Sequence, residues 1–260
     1  MSSSRDKAFI RRSFAAAANT YDGMAELQRL VGFELLRRFP LSIPYGQVLD
    51  LGSGTGFLAA NMASNFDLEP LVIDIALPML LESRRKYPDL VMKRVCADAE
   101  QLPLQPQSLD QLYSNLVFQW LQMPEYTYAD FKRVLKPGGR LVFATFGPDT
   151  LKELKAAWAR VDDGVHVNRF FSKDEILDFL KMAGFQRIQF QSESWIREYP
   201  SVMALMQELK GLGAHHVNQA TQRKLTTKTQ LRRMIQNYES ECSATTIVAT
   251  YDLFFIEAFV

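Results

Sequence analysis

Apolar and polar positions fall into two rhythms along this chain. From residue 5 to residue 40 the sequence is helix-forming, breaks near Asn19-Thr20-Tyr21-Asp22-Gly23 and ends at Phe39-Pro40, which predicts a helical N-terminal lid or flank. From Gln47 onward short apolar runs alternate with helical stretches. An apolar strand begins at Val48, ends at the acid Asp50 and leads through a glycine turn into a helix over 57–64. Further strands are predicted at 70–75, 92–95, 110–115 and 140–146, the last after the turn Lys136-Pro137-Gly138-Gly139. A helix over 172–183 carries Ser172 as its cap and Glu175 at the capping-box position, and it leads to a strand near 188–197. The chain closes on a strand over Ile247–Phe259, while residues 199–243 lack strand alternation and read as a helical cap inserted before it. This alternation predicts an α/β fold with a mostly parallel sheet covered on both faces.

Composition narrows the picture without changing it. At 260 residues and 47% hydrophobic content, the chain can bury one full core as a single domain, and no separate second domain is needed. A net charge of +1 argues against bulk nucleic acid binding. No apolar run is long enough to span a bilayer and the N-terminus lacks the apolar core of a secretion signal, so a cytoplasmic location is expected. Cys96 and Cys242 are too few and too isolated for a disulfide framework or zinc site. His166, His215 and His216 have no metal-binding pattern beside them, so no metal is expected.

The chemistry begins at Asp50-Leu51-Gly52-Ser53-Gly54-Thr55-Gly56. Glycines at 52, 54 and 56 let the backbone turn sharply and approach a ligand closely. Their spacing is G-x-G-x-G and not the G-x-G-x-x-G that aims backbone N–H groups at a pyrophosphate. Asp74 ends the second strand about eighteen residues after Gly56, near the spacing of an acid that binds ribose hydroxyls. The loop with Asp50 before it resembles the first motif of the class I methyltransferases that use S-adenosylmethionine. That resemblance implies a Rossmann-like sheet of seven strands with the last one antiparallel. It also implies that Asp50 helps hold the amino acid end of the cofactor and that Asp98 reaches the adenine amino group. Ser53, Ile75, Ala99 and Asn115 join Gly52, Gly54, Gly56 and the three acids as candidate cofactor-binding residues.

A narrower resemblance rests on other segments. Ser13 to Asp22 with Leu27-Gln28-Arg29, then Ser114 to Trp120, Phe146 to Leu154, His166-Val167-Asn168-Arg169-Phe170 and Leu209 to His215 are similar to the malonyl-acyl carrier protein O-methyltransferases of biotin synthesis. The resemblance runs almost end to end. It implies that the free carboxylate of a malonyl thioester attacks the sulfonium methyl in line, giving a methyl ester. A carboxylate is already ionised at neutral pH, so no general base is needed and the protein supplies alignment and desolvation. Arg169 is the candidate carboxylate clamp, because its planar fork can bind bidentately. Tyr21 and Trp120 are expected to close over cofactor and substrate, and His166 to orient a substrate carbonyl. Each also has a structural reading: a surface salt bridge for Arg169, core packing for Trp120, a loop contact for His166.

The insertion is rich in bases, with Lys210, Arg223, Lys224, Lys228, Arg232 and Arg233 set against Glu208 and Glu239 between residues 201 and 240. A solvated helical face is one reading. The other, implied by the resemblance, is docking of the acidic acyl carrier protein that bears the malonyl group. Two further functions stay open. One is methylation of another small molecule such as a quinone precursor. The other is a hydroxylating or non-catalytic assembly role on the same fold, since the family also resembles a mitochondrial assembly factor of respiratory complex I.

Overall fold

The computed structural model describes residues 3–42, 46–66, 68–212, 226–241 and 246–260. Three helices open the chain: α1 (Ser3–Ala17), α2 (Tyr21–Met24) and α3 (Glu26–Arg38). The predicted break falls between α1 and α3, where α2 makes a single turn. Strands β1 (Val48–Leu51), β2 (Leu71–Asp74), β3 (Lys93–Cys96) and β4 (Leu109–Asn115) follow, with α4 (Phe57–Asn65) and α5 (Leu77–Lys86) between the first three. Next come α6 (Pro124–Val134), β5 (Leu135–Phe146), α7 (Lys152–Ala159), α8 (Lys173–Ala183) and β6 (Gln186–Tyr199). Helices α9 (Val202–Gly211) and α10 (Lys228–Glu239) lead to β7 (Ile247–Phe259).

The strands form one sheet in the order β3-β2-β1-β4-β5-β7-β6. The pairs from β3 to β5 are parallel, and β7 runs antiparallel to both β5 and β6. Parallel strands need both faces covered, and β1 is accordingly buried at all four positions. On one face Leu35 of α3, Met62 of α4 and Trp158 of α7 pack with Tyr113, Val142 and Phe255. On the other, Phe131 of α6 and Leu180 of α8 pack with Leu49, Leu112 and Phe143. A buried ion pair, Arg140 to Glu257, ties β5 to β7 at the sheet end away from the glycine turn.

Several expected boundaries move. Strand β5 begins at Leu135, ahead of the turn, because the turn sits inside the strand as a bulge: Leu135 pairs with Leu109 and Arg140 with Gln111. Gly138 at φ +77° makes that possible. Strand β6 extends to Tyr199, so the insertion begins after it. The capping box at Ser172 and Glu175 forms as expected, and Gly184 ends α8 in the left-handed region. The insertion is not a loose appendage: Leu205 of α9 with Met234 and Tyr238 of α10 are buried in the core shared with α7.

Strand order reverses between β1 and β4, whose outward connections run to opposite sides of the sheet. Ligands in such sheets bind outside the carboxyl ends of the strands at that reversal.

Candidate functional site

The glycine turn is built by three backbone angles that a side chain would oppose, and each glycine serves a different end. Gly52 has φ +69°, and a Cβ there would run into the Val117 side chain, so the loop after β4 sits directly on it. Gly54 has φ +54°, and an added Cβ would approach only Tyr21 Cε1 at 3.9 Å, which leaves open space above the turn. Gly56, at φ +84°, packs against Ser83 and Tyr87 of the α5 region and lines neither cavity at the turn. It packs the turn against α5 and leads into α4, as its N-cap.

A cavity with an open volume of about 790 Å³ lies above β1, β2 and β4. Gly52, Gly54, Asp74, Ile75, Asp98, Ala99 and Asn115 all line it, in keeping with the sequence motifs. Asp74 accepts from Gly54 N at 2.9 Å and Ala76 N at 2.8 Å, so it both shapes the turn and faces the cavity. Burial pushes its carboxyl up to about 6, against those two hydrogen bonds. Asp50 and Ser53 line a smaller adjoining recess with Gln28 and Arg29. Asp50 accepts from Ala59 N at 3.1 Å in the first turn of α4, and burial pushes it up to about 7, with the neighbouring Asp74 adding to the rise.

The polar groups left over in this recess test whether the cofactor of the resembling families fits. Gln28 Oε1, Asn115 Oδ1 and Ser53 Oγ are buried without a hydrogen-bond partner among the described residues. A buried acceptor with no donor is costly. Unpartnered acceptors beside Asp50 are what an ammonium group with three donors requires, and Arg29 in the same recess supplies a cation for a carboxylate. The amino acid end of S-adenosylmethionine carries both charges, so the donor set fits it.

Helix α1 roofs the first cavity with Lys7, Ile10 and Phe14. Lys7 Nζ meets Asp98 Oδ2 at 2.6 Å and also pairs with Glu100. Glu100 in turn accepts from the backbone N–H of Gln122 and Met123, at 2.6 and 2.7 Å, and so holds the loop that carries Trp120. Sequence reasoning misses Lys7, Ile10 and Glu100 as site residues. Lys7 lies 91 residues from Asp98, and no local spacing marks the pair.

A second cavity, with an open volume of about 1020 Å³, meets the first across Phe14, Tyr21, Leu116 and Trp120. Phe14 and Trp120 cross edge to face at 5.6 Å. The second cavity runs under α9 to Glu208 and Tyr251 and outward to His166 and Asn168. Two of its residues, Leu116 and Leu151, have φ of +55° and +56°. Left-handed backbone in leucine costs about 1–2 kcal/mol each, and such strain collects at functional sites.

Tyr21 is placed at the junction by its neighbour. Asp22 accepts from Thr55 Oγ1 at 2.7 Å and from Lys86 Nζ at 2.6 Å, while its backbone carbonyl accepts from Arg29 at 2.6 Å. The Tyr21 hydroxyl forms no hydrogen bond with a described residue, and burial pushes its pKa well above the ordinary tyrosine range, so it stays a donor. His166 lines the second cavity, stacked on Trp158 at 3.6 Å with Nε2 2.7 Å from Asp162 Oδ1.

Arg169 departs from expectation. Its side chain is 65% exposed, is paired with Glu175 and borders only a shallow outer groove. The preceding Asn168 is the one turned inward and buried. The first turn of α8 puts Glu175 within reach of the guanidinium, which therefore takes no part in either cavity. Among the described residues, the wall of the second cavity contains no lysine or arginine.

On the exposed side of the insertion lie Lys210, Lys228, Arg232 and Arg233, none of them ion-paired with a described residue. Arg223 and Lys224 lie outside the described residues. No helix among the described residues is long and apolar enough to cross a membrane, and no group of side chains among them could hold a metal ion.

Comparison with known proteins agrees with this geometry. A family described as "Methyltransferase domain" matches residues 49–143, the stretch from β1 to β5 that holds the glycine turn. Among solved structures, the YcgJ protein from Bacillus subtilis superposes with a TM-score of 0.62 at 15% identity, covering 88% of this chain and 97% of that one. Phosphoethanolamine N-methyltransferase 2 of Haemonchus contortus, solved with S-adenosyl-L-methionine, gives 0.59 at 17% identity over 94% of this chain and 57% of that one. These share the fold. A biotin biosynthesis bifunctional protein, BioHC, of Cellvibrio japonicus is 39% identical over 96% of this chain, which spans about half (50%) of its length. A malonyl-[acyl-carrier protein] O-methyltransferase of Methylococcus capsulatus is 42% identical, with 90% of this chain aligned to 86% of that protein. The chain belongs to the malonyl-[acyl-carrier protein] O-methyltransferase family.

Proposed function

We propose that the chain transfers a methyl group from S-adenosylmethionine to the free carboxylate of a malonyl group carried on acyl carrier protein. The observation that carries this reading is the junction of two cavities at Tyr21 and Trp120. One cavity has the donors and acids for the cofactor, and the other is a largely apolar slot of acyl size. When bound, the cofactor supplies an electrophilic methyl on a positively charged sulfur.

The residues then do three things. Asp50, Asp74, Asn115 and Gln28 would hold the cofactor's polar ends beside the junction. Phe14, Leu116 and Trp120 exclude water there, which strips the attacking carboxylate of hydration and favours a step in which opposite charges vanish. The Tyr21 hydroxyl donates to one carboxylate oxygen and so orients the other, which forms the new C–O bond. No proton has to move, because the nucleophile is already ionised and both products are neutral at the reacting atoms. With Arg169 turned outward, Tyr21 takes over the clamp role, and Asn168 and His166 are placed to meet the thioester carbonyl.

The exposed bases of the insertion are the proposed docking surface for the carrier. Incubating malonyl-carrier with the protein and cofactor should add one methyl group to the acyl mass, and the gain should vanish when the acceptor is acetyl-carrier. No mass gain on the malonyl acceptor sinks the reading.

A further inference from the structure

The wall of the acceptor cavity has an unusual charge balance for a site that takes an anion. Among its described lining residues the only formally charged carboxylate or ammonium-type side chain is Glu208, and it is negative. Glu208 accepts from the Tyr199 hydroxyl at 2.9 Å, and Tyr199 is hydrogen-bonded to Tyr251, also at 2.9 Å. A cation stands behind the wall. Arg197 Nη1 forms an ion pair with Glu208 Oε1 at 3.7 Å, too far for a hydrogen bond, and is buried without a hydrogen bond to a described residue, while Nη2 is committed to Glu26.

Charges can be counted from this arrangement. One negative charge on the acceptor is matched by the sulfonium across the junction. A second negative charge inside the cavity has no match among the described lining residues and meets the field of Glu208, which poorly screened surroundings strengthen. Juxtaposing like charges at a binding site costs affinity steeply, and excluding a competitor this way is half of specificity. A malonyl thioester carries one charge; free malonate carries two at neutral pH.

We propose that Glu208 is a specificity-determining residue which restricts the cavity to acceptors with a single negative charge and so excludes free dicarboxylic acids. This rests on the carboxyl-methylating function proposed above. Glu208 does not touch the reacting atoms. It acts through the charge it adds to the far end of the cavity, and Arg197 tempers that charge from behind.

The test compares malonate with its monomethyl ester, which has the same carboxylate but a neutral far end, as inhibitors of malonyl-carrier methylation. In the unaltered protein the half-ester should inhibit at about tenfold lower concentration or less, a difference of the size one unopposed charge produces. Glu208→Gln keeps the acceptor for Tyr199 and leaves Arg197 opposed by Glu26 alone, so the preference should collapse. Adding Arg197→Gln to that variant should remove the gain in malonate binding. Equal inhibition by the two acids in the unaltered protein, no inhibition by either, or an unchanged preference in Glu208→Gln overturns the proposal. Failure of the function itself looks different, because then the unaltered protein would not methylate malonyl-carrier at all.

Discussion

Tyr21 presents a phenol with no described hydrogen-bond partner at the place where both cavities meet, and Asp22 pins it there through Thr55 and Lys86. A hydrogen bond to a charged group is worth about 1.5–3 kcal/mol, so Tyr21→Phe should lower kcat/KM for the malonyl acceptor by roughly ten- to a hundredfold. Cofactor affinity, read by calorimetric titration, should change far less. A proportional loss in both would mean that the hydroxyl serves the cofactor and not the acceptor. Arg169→Lys provides the contrast. With the guanidinium exposed and paired to Glu175, steady-state turnover should stay within about twofold, the range of a surface ion pair. A large fall in turnover would show that Arg169 swings inward when substrate binds. The outward turn of Arg169 is illegible in the sequence for a simple reason: of two adjacent residues, Asn168 is buried and Arg169 exposed, and nothing local says which one faces in.

Among the elements, the strands are the most legible part of this chain. The final strand lies where its apolar run predicts, and the glycine turn announces itself by three positive-φ positions in five residues. The capping box of α8 is equally plain, since Ser172 and Glu175 are local partners. The hidden features depend on distant contacts: α1 roofing the cofactor cavity, Glu100 bridging Lys7 to the Trp120 loop, and the insertion joining the core through Leu205 and Met234. The α1 roof has a kinetic meaning. A ligand enclosed between the sheet and α1 leaves only when the helix lifts, and that lift breaks the Lys7 contacts with Asp98 and Glu100. Lys7→Ala should therefore speed dissociation of S-adenosylhomocysteine several-fold in a stopped-flow chase. An unchanged rate would mean that α1 opens without breaking those contacts.

For the molecule as a whole, pH acts on stability and on cofactor binding in opposite directions. Asp50 and Asp74 titrate higher in the fold than in the unfolded chain, so between about pH 4 and 7 the folded state holds more protons. Stability falls as pH rises through that window. Cofactor binding runs the other way, because ionised carboxylates are the better acceptors for hydroxyl and ammonium donors. Melting curves from about pH 5.5 to 8 should show a falling midpoint for the free protein and a growing upward shift on adding cofactor. A shift that shrinks with pH would contradict the assignment of these acids to the cofactor.

The surface has its own polarity at this scale. Reversing Arg232 and Arg233 to Glu should raise KM for malonyl-carrier several-fold at low salt and leave a carrier-free malonyl thioester nearly untouched, since rim charges act on encounter and are screened by salt. Equal effects on both acceptors would assign α10 to cavity shape.

An acceptor cavity whose described wall has no lysine or arginine also governs the interval between one turnover and the next. On the proposed function, the positive charge at the junction is the cofactor's sulfonium, and it disappears with the methyl group. A protein still holding spent cofactor thus offers a fresh anion the Tyr21 hydroxyl but, among the described lining residues, no compensating lysine or arginine. On the proposed function, acceptor binding is expected to weaken once the methyl donor is spent, which disfavours abortive complexes without any moving part.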